Sequence, residues 1–325
     1  MRDLTLLPKA HLHVHLESTV SASTLREIGD ANGVTVPAET TGFAGFRQFA
    51  DHNALVRDCL RRPEDFARVA REFCHAEAAH GTRYAEVTFT AAAHGERLGH
   101  PEMPLEAVLD GLARGQAETG LECRVLLDHS RRRSVERAWS TLRLATRYEQ
   151  VIAIGMAGEE SYPLAPFADV VDAAHDAGVH LVHHAGEARG AESIREAITT
   201  GRTRRLGHGI RVLDDPGLVA EVRDLGLPLE VCPSSNIALG FTASAAEHPL
   251  PRLRDAGLRV TVNTDVPAVI DTTLTREYEL VRDTFGYTDH DLADLARTAI
   301  DASFAPEDTK RRLHRETDEW LAAGP

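Results

Sequence analysis

The chain has 325 residues, 42% hydrophobic and 26% charged, a composition that supports a large buried core and a length that suits one α/β barrel. Its net charge of −14 repels nucleic-acid phosphate and anionic membranes, and no basic run overturns that field, since Arg202 to Arg205 holds only three arginines. Cys59, Cys74, Cys123 and Cys232 show no C-x-x-C spacing, so neither a disulfide framework nor a thiolate zinc site is indicated; with no apolar leader and no membrane-length apolar run, a reducing cytoplasm is the expected location.

In chain order, residues 10–16 read as a first strand and residues 21–32 as a helix with Ser21 or Ser23 as N-cap. Residues 41–80 carry Phe43, Phe46 and Phe49 at three-residue spacing, then Leu55, Cys59, Phe66, Val69 and Phe73. The pattern predicts two or three helices, either core-facing or covering a barrel mouth as a lid. Apolar strand-like runs follow at 84–89, 123–127, 151–156, 179–183, 205–208, 227–231 and 258–263. Helical patterns lie between them at 105–119, 135–148, 166–177, 191–200, 216–225 and 249–256. Eight strands alternating with helices predict a closed (β/α)₈ TIM barrel, and no G-x-G-x-x-G follows a strand to suggest a dinucleotide fold. The remainder is helical at 274–284, 290–303 and 306–322, and no linker divides the chain. A single domain over 1–325 is expected.

The strand ends carry the chemistry. His11, His13 and His15 alternate along the first strand, which in a regular strand puts all three on one face. Neutral imidazole is a common ligand for a borderline divalent metal. His184, His208 and Asp265 fall at the C-terminal edges of the fifth, sixth and eighth strands, where barrel enzymes place their active sites. Such a mixed nitrogen and oxygen set suits zinc and leaves room for a water.

These residues sit in strings that resemble the adenosine deaminase family of metal-dependent aminohydrolases. The strings are Pro8-Lys-Ala-His-Leu-His-Val-His-Leu16, Ala157-Gly-Glu-Glu160, His184-Ala-Gly-Glu187, Arg205-Leu-Gly-His-Gly209, Val231-Cys-Pro-Ser-Ser-Asn236, Asn263-Thr-Asp265 and Ala302-Ser-Phe304, in the family's order. The resemblance implies one zinc ion on His13, His15, His184 and Asp265. It implies Glu187 as proton donor, His208 as the residue that orients the attacking hydroxide, and a backbone contact from Gly158 to the purine edge. The expected reaction replaces the exocyclic amino group of a small 6-aminopurine-type molecule (adenosine, adenine or an aminofutalosine-like nucleoside) with oxygen and releases ammonia. Zinc makes hydroxide available near neutral pH, a protonated Glu187 makes the ring electron-poor, and His208 with Asp265 can direct the nucleophile.

Three positions depart from the family's nucleoside enzymes. Glu17 and Ser18 stand where those carry Asp-Gly, and a glutamate there is typical of relatives acting on adenine or aminofutalosine. Val266 replaces a second aspartate that hydrogen-bonds the purine N7, and an unpaired buried acceptor costs about 1–3 kcal/mol. Drifted substrate recognition is therefore expected at Glu17, Ser18 and Val266. The alternative is the same zinc chemistry on a non-purine amino-heterocycle or amidine; a more distant one is an inactive binding protein. A nucleic-acid deaminase is disfavoured by the charge and by the missing H-x-E and P-C-x-x-C strings.

Overall fold

In the computed structural model, which describes residues 1–37 and 46–323, eight strands lie in one sheet in the order of the chain. They are β1 (Lys9–His15), β2 (Thr82–Phe89), β3 (Glu122–Ser130), β4 (Val151–Ala157), β5 (His180–Ala185), β6 (Arg205–His208), β7 (Leu229–Val231) and β8 (Val260–Val262). Every neighbouring pair is parallel. The sheet closes just past β8: Asp265 N–H donates to the His13 carbonyl at 3.0 Å, and His15 N–H donates to the Asp265 carbonyl at 2.9 Å. The fold is thus the predicted (β/α)₈ barrel. Of the expected strand 227–231 hydrogen bonding retains Leu229–Val231, and of 258–263 it retains Val260–Val262.

Local chemistry delimits the surrounding helices. Ser21 caps Ala22–Ala31 by accepting from Thr24 N–H, and Ser134 caps Val135–Arg147 in the same way from Arg137. Thr288 and Asp291 form a reciprocal capping box at the start of Asp289–Ala302. That helix closes the end of the barrel opposite the strand C-termini. Its Ala299, Ile300 and Ala302 pack with Ala10, Leu12 and Tyr84. Just inside, Arg205 is held between Glu86 and Glu230, all at most 1% exposed, with its guanidinium 4.0 Å from the Phe304 ring centroid.

The segment 41–80 contributes two helices among the described residues, Phe46–Cys59 and Pro63–Ala79; Phe43 lies outside those residues. Phe66 and Phe73 are core residues of the outer layer, whereas Phe46–Cys59 places Asn53 and Arg57 at the barrel mouth. No described helix is long and apolar enough to cross a membrane.

One expectation fails within β1. The pairing register with β2 shifts between His11 and Val14, and Leu12 N–H and His13 N–H both donate to Asn263 Oδ1, at 2.9 and 3.1 Å. This bulge breaks the two-residue alternation. His11 consequently turns away from the other two histidines, its Nδ1 2.9 Å from Glu77 Oε2 and its Nε2 3.1 Å from Thr264 Oγ1.

Candidate active site

At the C-terminal end of the barrel, side chains from four strand ends meet. Ligand atoms of His13, His184, His208 and Asp265 all lie within 4.8 Å of one another. His15 joins them, with Nε2 3.3 Å from His184 Nε2 and 3.4 Å from Asp265 Oδ1. Distance alone places His208 in the inner group of four and leaves His15 at its edge, so five side chains surround the space of one ion. His13 Nδ1 is bonded to Glu230 Oε2 at 2.9 Å. Its Nε2 is buried without a partner, the nearest acceptor, Asp265 Oδ1, being 3.6 Å away and beyond hydrogen-bond reach. A buried imidazole lone pair beside further imidazoles and a carboxylate is a donor set for a borderline divalent cation, and the residues fit one. Burial, and then the neighbouring His13, hold His208 down to about 3. Burial also puts His184 well below the ordinary imidazole range, with His13, His15 and His208 adding to the effect. Both rings are therefore neutral, as a cation requires.

Backbone strain aims two of these groups. His208 and Asp265 have φ of +64° and +61°, a left-handed conformation that costs about 1–3 kcal/mol for a side chain other than glycine. The short helix Pro233–Ala238 after β7 holds both side chains. Ser235 Oγ donates to Asp265 Oδ2 at 2.5 Å, and Asn236 Nδ2 donates to His208 Nδ1 at 3.2 Å. Asn236 Oδ1 in turn accepts from His248 Nε2 at 3.2 Å. With its Nδ1 accepting, His208 carries its proton on Nε2, the nitrogen 3.4 Å from Glu187 Oε1.

Glu187 rides on the turn after β5, and Glu160 holds that turn. The Glu160 carboxylate accepts from the backbone N–H of Gly186, Glu187 and Ala188 at 2.8–3.0 Å and from Ser193 Oγ at 2.5 Å. The Glu187 side chain is 15% exposed. Burial, and then the charges of Asp265 and Glu160, push its carboxyl well above the usual carboxylate range. It is held as a neutral acid.

A cavity of about 310 Å³ opens over this centre, and Glu17, Ser18, Gly158, Glu187, His208 and Asp265 line it together with His15 and His184. Glu17 Oε1 accepts from Thr90 N–H at 3.0 Å and lies 3.2 Å from His94 Nε2, while Ser18 Oγ donates to Asn53 Oδ1 at 3.3 Å. Gly158, at φ +82°, lies on the wall where a Cβ would come within 3.1 Å of Ser130 Oγ. Val266 is 1% exposed and stands outside the lining.

Four supporting residues had no role assigned from the sequence: Glu160, Glu230, Ser235 and Asn236. For Glu230 a signal existed, an acidic residue inside the otherwise apolar Leu229–Val231. The others are polar residues, Glu160 in a turn and Ser235 and Asn236 on the short helix Pro233–Ala238, whose partners lie 26 to 33 positions away, and spacing alone does not single them out.

The adenosine deaminase family model matches residues 8–320. A Streptomyces coelicolor protein named putative adenosine/adenine deaminase is 33% identical, with 99% of each chain aligned. An adenine deaminase of Rhizobium leguminosarum bv. trifolii is 35% identical, over 94% of this chain and 98% of its own. Among solved structures, adenine deaminase from Arthrobacter aurescens superposes with a TM-score of 0.92 at 29% identity, covering 97% of this chain and 99% of that one.

Proposed function

The chain belongs to the adenosine deaminase family, and we propose that it is a zinc-dependent aminohydrolase that replaces the exocyclic amino group of a 6-aminopurine-type substrate with oxygen and releases ammonia. One observation carries the reading: a neutral carboxyl, Glu187, faces a knot of imidazoles and one carboxylate at the mouth of a barrel. His13, His15, His184 and Asp265 would hold the ion, and zinc there supplies hydroxide at neutral pH by lowering the pKa of a water to roughly 7.

The chain's own groups do the rest. Glu187 keeps a proton for the ring nitrogen beside the carbon under attack; once that nitrogen is protonated, the ring becomes electron-poor enough to accept a nucleophile. His208, its Nδ1 engaged by Asn236, offers Nε2–H to direct the reacting oxygen. Asp265, fixed by Ser235, accepts from the same oxygen. Gly158 has no side chain to block its backbone from the purine edge, and Glu17 with Ser18 borders the other side of the substrate. Buried, unpaired Cys59, Cys74, Cys123 and Cys232 support a cytoplasmic location.

Val266 favours a second reading, a non-purine amino-heterocycle, because no carboxylate follows Asp265. Ammonia release from zinc-loaded protein, measured on adenine, adenosine and larger 6-aminopurine nucleosides, decides between them. Stoichiometric zinc with no ammonia from any 6-aminopurine would sink the leading reading.

A further inference from the structure

Beside the catalytic cavity lies a smaller one of about 100 Å³ whose lining includes Arg57, Thr90, His129, Ser130, Arg133 and Arg137. The two cavities share Arg57, Thr90, Asp128 and Ser130 as common walls. A molecule with its reacting ring at Glu187 therefore reaches this side pocket by extending past those residues.

The pocket is rich in donors, with three arginines and a histidine against one carboxylate. Among the described residues Arg57 and Arg133 make no side-chain ion pair or hydrogen bond. His129 is 1% exposed, and neither of its ring nitrogens has a properly formed hydrogen bond. A buried polar ring left without partners is costly unless something else satisfies it. Arg137 is engaged by Glu96, and at the adjoining rim Arg132 lies 3.7 Å from Glu159. Asp128 is the carboxylate in the lining: its Oδ2 lies 3.9 Å from His15 Nδ1, and its Oδ1 is buried without a hydrogen-bond partner. In a chain of net charge −14, the side pocket gathers Arg57, Arg133 and Arg137 against the one carboxylate of Asp128, and Arg57 lines the catalytic cavity as well.

We propose that this side pocket binds an anionic group, a phosphate or a carboxylate, carried by the substrate at the end remote from its amino group. The substrate class would then be a 6-aminopurine nucleoside with an anionic 5′ substituent, rather than the free base. Arg57 and Arg133 would grip the oxyanion, and His129 and Ser130 would complete its hydrogen bonds. The inference rests on the deaminase reading above for the position of the ring.

The test uses the zinc-loaded full chain with adenine, adenosine, adenosine 5′-monophosphate and adenosine-5′-carboxylic acid, in wild type, Arg57→Gln and the exposed Arg133→Gln. Expected is a kcat/KM for at least one anionic compound about tenfold or more above adenosine, the worth of one charge-assisted hydrogen bond. Each substitution should narrow that ratio, and the preferred compound identifies phosphate or carboxylate as the anion. Adenine or adenosine favoured in all three proteins would overturn the proposal. Thermal stabilisation, measured in parallel with the monophosphate, adenosine and inorganic phosphate, gives a readout free of turnover. If no compound releases ammonia but the monophosphate stabilises wild type more than adenosine does, and the arginine variants lose that excess, the pocket stands and the deaminase reading falls. Equal stabilisation by monophosphate and adenosine, or an effect fully reproduced by inorganic phosphate alone, would overturn the substrate-borne anion.

Discussion

Glu230→Gln isolates how the barrel interior positions the His13 ring, one of the proposed zinc ligands. Glu230 is 1% exposed and uses both oxygens: Oε2 lies 2.9 Å from His13 Nδ1, and Oε1 accepts from Arg205 Nε at 2.5 Å. An amide of the same shape keeps one acceptor and sets an NH₂ against the other donor. If it faces His13, the Nδ1 proton loses its acceptor, and the ring is no longer held with its Nε2 lone pair toward the centre. Loss of such a carboxylate–histidine support costs about 10–100-fold in metal affinity or activity. A hydrogen bond to a charged group is worth about 1.5–3 kcal/mol of stability, so the melting temperature should fall by several degrees. The control is Glu86→Gln, which touches the same Arg205 guanidinium at 2.5 Å but not His13. Zinc affinity is read by competition with a chromophoric chelator, ammonia release gives kcat/KM, and calorimetry gives stability. Both variants should lose stability, and Glu230→Gln alone should lose zinc affinity and activity. If the two variants behave alike in zinc affinity, Glu230 does not act through His13.

Glu187→Gln should lower kcat by about 10²–10⁴-fold while zinc content is unchanged. Because its folded carboxyl is raised, wild-type kcat should fall as pH rises through that raised value. The stability consequence has the opposite sign from a salt-bridged carboxylate: the native state binds the proton longer than the unfolded chain, so wild-type stability falls as pH rises above the ordinary glutamate range. Glu187→Gln should lose that slope in urea titrations at several pH values; an unchanged slope contradicts a neutral Glu187. Asn236→Asp should invert the hydrogen bond to His208 Nδ1 and move the ring proton off Nε2, lowering kcat by roughly 10–100-fold with KM little changed; full activity would refute the tautomer assignment. Chelation should lower the melting temperature and added zinc restore it, since an ion present at 100 times its Kd stabilises the fold by about 2.7 kcal/mol.

The sequence alone determined the strand count, the parallel alternation and which histidines and aspartate stand at strand ends, because each is written locally: an apolar run, a capping serine, a histidine or aspartate where such a run stops. His13, His15, His184, His208 and Asp265 were placed correctly at the mouth because every strand of a parallel barrel delivers its C-terminal residue to the same end. Geometry between distant residues was not written locally. Nothing in His11-Leu-His-Val-His15 announces the bulge that diverts His11, since Asn263, 250 positions on, creates it by accepting two successive N–H groups. The pairing of Glu230 with His13, the Asn236 proton placement on His208 and the meeting of Arg57 with His129 and Arg133 are likewise decisions of the tertiary structure. Each joins side chains from different elements, and what they accept or donate is settled by burial and by which neighbour the closed barrel leaves within reach.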